Sequence, residues 1–167
     1  MRFGSGQVDG PGVSGAGSPL DPSGSEVRSR FLLDCSAWSR MKAGRLDERE
    51  VHRRYLDQRS ILVTTTVQVL EMLFTAQSPL AWEKMYANLR QYPLLIATEL
   101  THRIAIEIQR RLWHCGRKRA AGPIDVLIAA IALQYDATVI HYDADYQHIA
   151  DVVPEFKHEW VAKRGTL

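Results

Sequence analysis

The sequence predicts an α/β domain, a central parallel sheet with helices on both faces. Three observations carry that prediction. Short apolar runs, several of them β-branched, alternate with segments of helical periodicity. That alternation is the pattern of βαβ units, whose strands lie buried between two layers of helices. The segment VLIAAIAL at 126–133 is apolar on nearly every side, which suits a helix buried in a layered fold. Length agrees: 167 residues, 46% apolar and 24% charged, fit one domain with a sizeable core.

The elements follow in order. RFLLD at 30–34 reads as a first strand ending in an acid, with a helix after it. In 47–58, Val51 and Tyr55 are four apart among charged residues, which makes an amphipathic surface helix. Residues 65–76 read as a helix carrying Val67, Leu70, Leu73 and Phe74. Ser78 reads as an N-cap with Pro79 at the first helical position, opening a helix toward Asn88. Residues 94–97 read as a short buried strand. A helix follows over 99–114, with Leu100, Ile104, Ile108 and Leu112 at i, i+4 spacing. Pro123 opens the buried helix. TVIH at 138–141 reads as a strand, 146–150 as a helical turn, and 159–161 as a last strand.

Residues 1–25 hold 7 of the 11 glycines and 3 of the 7 prolines, with few large apolar side chains. Such a segment buries too little surface to offset its ordering entropy, so it is expected to be a disordered tail, leaving 26–167 as the domain. The net charge of +2 is too balanced for binding polyanions by charge alone. Two cysteines, Cys35 and Cys115, make neither a disulfide framework nor a zinc motif. No apolar run is long enough to span a bilayer, and no apolar stretch follows Arg2 as a secretory signal would require. A soluble, cytoplasmic protein is expected.

The acids are the informative residues. In open parallel sheets, sites form outside the carboxyl ends of the strands. Asp34 ends the first strand and Asp143 follows TVIHY, with Asp145 two residues on. Glu71 lies in VQVLEMLF among apolar neighbours, and Asp125 interrupts the start of the most apolar helix. A lone charge in such surroundings is costly, and a shared metal ion would supply the missing partner. Each acid also has an ordinary structural reading. Asp34 or Ser36 would cap a helix, and Asp125 would suit a helix dipole. Glu71 would pair with an arginine, and Asp143 and Asp145 would be turn acids. Their joint placement at one predicted sheet edge favours a site.

These motifs resemble a known family. FLLDCSAW at 31–38 looks like the opening strand–Asp–x–Ser of PIN-domain nucleases. VLEML at 69–73 resembles their helical Glu, PIDVLIAAIA at 123–132 their third acidic motif, and VIHYDADYQHIA at 139–150 their fourth. The order, the spacing and the closing EWVAKRGTL are similar to VapC-type toxins, the ribonuclease half of bacterial toxin–antitoxin pairs. The resemblance covers about 28–167 and implies a PIN-like fold. It assigns Asp34, Glu71, Asp125 and Asp143 to the acidic quartet, Asp145 to a frequent fifth acid, and Ser36 to a supporting hydroxyl. Cys35 stands where Thr is usual, and His141 where Thr or Ser is common. His141 is a candidate substrate contact. The resemblance further implies a homodimer, a cognate antitoxin whose tail enters the site, and cleavage leaving a 5′-phosphate and a 3′-hydroxyl.

Two carboxylates about 4 Å apart repel by roughly 4 kcal/mol at an effective dielectric near 20. Four in one pocket raise each other's pKa or splay apart unless a cation sits among them. Oxygen ligands without His or thiolate select a hard ion, Mg²⁺ or Mn²⁺ rather than Zn²⁺. Such an ion activates water and neutralises charge on a phosphodiester. Asp34 and Asp125 are the leading ligands, with Asp143 and Glu71 completing the shell or orienting water.

The resemblance implies an RNA substrate, a transfer RNA or a ribosomal loop. Seven basic residues lie between Arg40 and Arg59, and a second group comprises Arg110, Arg111, Arg117, Lys118 and Arg119. Together they are 12 of the 21 Lys+Arg, and Arg117, Lys118 and Arg119 are the leading RNA contacts. The first group is interleaved with acids and also reads as a solvated helix face. The four tryptophans would stack on bases or fill the core. His102, His114 and His158 read as surface residues. The competing class is an inactive RNA- or partner-binding module of the same fold. A haloacid-dehalogenase-type phosphatase, which wants an acid two residues after its nucleophile, is set aside because Ser36 stands there.

Overall fold

The computed structural model describes residues 29–56 and 59–167, so the tail assigned to 1–25 lies outside the described residues. The chain runs β1 (Ser29–Leu33), α1 (Cys35–Lys42), α2 (Glu48–Tyr55), β2 (Ser60–Thr65), α3 (Thr66–Phe74) and α4 (Pro79–Leu89). It continues with β3 (Leu94–Leu95), α5 (Glu99–His114), α6 (Pro123–Gln134), β4 (Ala137–His141), α7 (Ala144–Ala150) and β5 (His158–Trp160). All strand pairings are parallel, in the order β3-β2-β1-β4-β5. The predicted α/β class holds.

Strand alternation builds two cores. Leu32, Val63 and Val139 point to one face, where Ile108, Leu112, Ile128, Ile131, Tyr146 and Ile149 pack on them. Their neighbours Leu33, Leu62 and Ile140 point to the other face, against Ala37, Val51, Tyr55 and Val161. Each strand is therefore apolar at consecutive positions rather than alternate ones. Helix α6 serves the first core with Ile128, Ala129, Ala130, Ile131 and Ala132, all at most 1% exposed.

Strand β2 departs from the sequence expectation, which has a helix over 65–76 and no strand before it. Thr65 in fact ends the strand and caps α3, its side chain accepting from the Gln68 N–H at 3.2 Å. The second helix stops at Tyr55 rather than at 58, and β3 is confined to two residues.

The chain leaves β1 for β2 and β3 on one side, then crosses to β4 and β5 on the other. The carboxyl ends of β1 and β4 thus flank the point where strand order reverses, the place where open sheets form a crevice. Register puts Leu33 beside Ile140, so Asp34 and the His141–Asp143 turn emerge together. Gln68, 1% exposed, joins α3 to the end of β1 by donating from Nε2 to the Leu33 carbonyl at 3.0 Å.

Gln68→Ala strips that carbonyl of its donor and leaves a void. The expected cost is about 1–3 kcal/mol of unfolding free energy, measured by urea denaturation; a smaller loss would mean that water replaces the amide.

Candidate active site

Asp34 leaves β1 and caps α1, so its structural reading holds. Its Oδ2 accepts the Ser36 N–H at 2.8 Å, and its Oδ1 accepts the Tyr146 hydroxyl at 2.7 Å. Only 5% of Asp34 is exposed. Tyr146 is wholly buried, and its phenol is held well above its usual pKa by burial and then by the Asp34 charge. It remains a donor.

Asp125 sits in the first turn of α6, after Gly122 at the cap and Pro123 at the first position. Burial first, and then the charges of Asp34, Asp145, Asp143 and Glu71, push its pKa up to about 7. The other four predicted acids therefore act on this one carboxyl. The absence of a side chain at Gly122 matters here, because a Cβ would stand 2.8 Å from Asp125 Oδ2. The Gly122 N–H donates to Asp145 Oδ2 at 3.1 Å, tying the start of α7 to the start of α6.

Asp143 caps α7 and accepts the Asp145 N–H at 3.1 Å. Its own N–H donates to His141 Nδ1 at 3.1 Å, and the Tyr142 N–H donates to Ser36 Oγ at 2.9 Å. Ser36 thus locks the loop after β4 onto the loop after β1. Glu71 differs from its sequence reading. It is exposed rather than buried, and its neighbour Phe74 is 92% exposed. Its carboxyl pKa is still raised, by partial burial first, with Asp34 adding to the rise and a Cys35 hydrogen bond opposing it.

His141 is a correction. It is fully buried, so its ring does not face a substrate. Burial and the neighbouring His158 lower its pKa to about 4. Since Nδ1 accepts from Asp143, the neutral ring must carry its proton on Nε2, which donates to His158 Nδ1 at 2.8 Å. His158 is likewise part-buried rather than a surface residue. In the predicted RNA contacts, Arg117 is paired with Asp151, and Lys118 lies 5.5 Å from the Trp113 ring centre. Arg119 is exposed on the same loop, which leads into α6. The sequence reading missed Tyr146, Gly122 and Gln68. For Gly122 the signal was present, a glycine directly before Pro-x-Asp; the other two rest on contacts far apart in sequence.

The donor set fits a hard divalent cation. Every acid offers oxygen, and the Asp125 pKa is raised by burial first and then by the surrounding negative charge, both of which a bound cation would offset. Among the described residues no three such side chains stand close enough to enclose an ion, as like charges left to themselves would dictate.

Two consequences follow. Asp125 has a higher pKa folded than unfolded, so its contribution to stability is present below about pH 4 and lost as pH rises through about 7. In EDTA at pH 8, Asp125→Asn should raise Tm by a few degrees, a gain that shrinks toward pH 5; equal Tm values at pH 8 would refute the repulsion. Gly122→Ala should fold normally while displacing the Asp125 carboxylate. Its Mn²⁺ affinity, read by titration calorimetry, should fall by about tenfold or more.

Comparison with known proteins agrees with this geometry. The PIN domain family profile matches residues 31–152. Ribonuclease VapC51 of Mycobacterium tuberculosis is 29% identical over 141 residues, which is 83% of this chain and 97% of the relative. Ribonuclease VapC18 of the same organism is 32% identical over 142 residues, 82% of this chain and 98% of the relative. Among solved structures, VapBC-1 from nontypeable Haemophilus influenzae superposes with a TM-score of 0.67 at 19% identity, covering 80% of this chain and 99% of the other. The likeness to that structure speaks for the fold, and the sequence matches speak for descent. The chain belongs to the PIN domain family and, within it, to the VapC group.

Proposed function

We propose that this protein is a Mg²⁺-dependent endoribonuclease, the toxin of a type II toxin–antitoxin system, held inactive by a cognate antitoxin. The observation that carries the reading is the position of Asp125 near the topological switch point, half-buried and within the field of Asp34, Asp145, Asp143 and Glu71. The VapC relatives bear the name ribonuclease, and the solved neighbours are VapBC complexes. Transfer RNA or a ribosomal loop is the proposed substrate.

Asp34 and Asp125 would hold the ion, with Asp143 and Glu71 beside them; Mn²⁺ would serve as well as Mg²⁺. When bound, the ion supplies an activated water and neutralises charge that builds on the phosphodiester. The rest is done by the chain. Tyr146 and Ser36 fix both oxygens of Asp34, so its orientation does not depend on the ligand. Asp145 stays on the Gly122 N–H and holds the two helix starts together. Lys118 and Arg119 stand on the loop entering α6, where they would meet the RNA backbone. A homodimer is supported by exposed apolar residues on α3, α4 and α5, among them Leu70, Phe74, Leu80 and Ile106. No helix among the described residues is long and apolar enough to cross a membrane, in keeping with a cytoplasmic site of action.

The test is cleavage of total tRNA by purified protein with Mg²⁺ or Mn²⁺, beside an EDTA control and an Asp34→Asn variant. Discrete fragments should appear, vanish with EDTA, and fall by at least about 100-fold in the variant. Folded, antitoxin-free protein that leaves tRNA and ribosomal RNA intact would instead support a binding module with an inactive pocket.

A further inference from the structure

The acidic crevice continues into a cleft with a basic wall. Arg40, in the last turn of α1, and Arg164, just after β5, border a space of about 450 Å³ together with Ser36, Tyr142, Asp143 and Trp160. Ser36 and Asp143 also belong to the active site, so the cleft adjoins it directly.

Both arginines are mounted on aromatic rings. Arg40 Cζ lies 4.0 Å from the centre of the Tyr142 ring, and Arg164 Cζ lies 5.8 Å from that of Trp160. The two rings meet edge-on, with centres 5.6 Å apart and planes at 82°. They come from the ends of the adjacent strands β4 and β5, so the sheet itself spaces the two cations. The Leu167 N–H donates to Tyr142 Oη at 2.9 Å, which ties the segment carrying Arg164 back onto the cleft.

The charge of these two arginines is unspent. Elsewhere Arg53 pairs with Glu50, Arg54 with Glu159, Arg110 and Arg111 with Glu107, and Arg117 with Asp151. Among the described residues neither Arg40 nor Arg164 is in an ion pair. Arg40 Nη1 donates to the Ser36 carbonyl at 2.8 Å, and its buried Nε has no acceptor among them. Most of its five N–H donors therefore have no protein partner. A guanidinium fork with free donors, stacked on a ring, is suited to phosphate oxygens. Asp143 is the one acidic side chain on this wall, which Leu167 also lines, and it is also a proposed metal ligand.

We infer that Arg40 and Arg164 form a subsite for an RNA backbone phosphate next to the scissile one. The inference rests on the nuclease reading. The subsite grips the chain without reading sequence, so it sets affinity and register rather than base preference.

The test uses the full chain carrying Asp34→Asn and a fluorescein-labelled, mixed-sequence, single-stranded RNA 12-mer, with anisotropy followed over a salt series. Arg164→Ala should weaken binding by about tenfold and lower the slope of log affinity against log salt by about 0.7, one phosphate contact's worth. Arg164→Lys should recover part of both, and Arg53→Ala should change neither. Arg40→Gln should behave like Arg164→Ala; because Arg40 also braces Ser36, the exposed Arg164 decides the question if the Arg40 variant misfolds. In the cleaving protein, Arg164→Ala should raise KM with little change in kcat. Salt slopes that stay at the parent value while the wild-type protein cleaves RNA would overturn the subsite alone. Slopes that fall in a protein that never cleaves would overturn the nuclease reading and leave the subsite standing.

Discussion

Five carboxylates face one crevice, and their mutual repulsion is the constraint that the surrounding structure answers. Nothing in the apolar core beneath neutralises them. Three of them are instead restrained one by one by hydrogen-bond donors of the fold. Asp34 is held by a backbone N–H and a buried tyrosine, Asp145 by the first amide of α6, and Asp143 by the amide of Asp145. These bonds hold direction without removing charge, and a site that must attract a cation requires that. The uncompensated remainder appears at Asp125, where burial and then the charges of Asp34, Asp145, Asp143 and Glu71 push the carboxyl pKa up to about 7.

The restraint works because the sheet is stiff. Parallel strands buried on both faces must be apolar at successive positions, and that requirement lines up Leu32–Leu33 with Val139–Ile140 across the switch point. The acids come one to three residues beyond this register, close enough to inherit its precision. Ser36 and Tyr142 then join the two loops, so the distance between Asp34 and Asp143 is not left to loop flexibility.

What could be read from the sequence follows the range of the interactions involved. The strand-terminal acids, the buried α6 and the capping at Ser78 are short-range features, and all were legible. Strand β2 was not, because Ser60–Thr65 ends in threonines that serve equally as strand and as helix cap. Glu71 was read as buried from its helical neighbours, yet α3 turns Leu70, Glu71 and Phe74 outward, away from both cores. Tyr146 and Asp34 are 112 positions apart, and no local pattern announces their bond. The basic groups show the same limit. Counting cations in 40–59 and 110–119 could not reveal that Arg53, Arg54, Arg110, Arg111 and Arg117 are committed to acids. Arg164, which has no such partner among the described residues, lies outside both groups.

The two departures from the family pattern make sense on the same terms. Cys35 sits beside the first acid, with its Sγ 3.7 Å from the Gln68 carbonyl. Burial and the adjacent carboxylates raise its pKa, so it stays a neutral thiol and adds no further charge to the crevice. His141 replaces a hydroxyl with a ring, but the ring accepts the Asp143 N–H and passes its own proton toward His158. Both substitutions leave the carboxylates and their backbone anchors in place. Each also keeps its polar atom neutral, His141 through burial and the neighbouring His158, Cys35 through burial and the adjacent carboxylates. The positions beside the acids thus differ in shape from the family pattern while burial, before any other cause, keeps them uncharged.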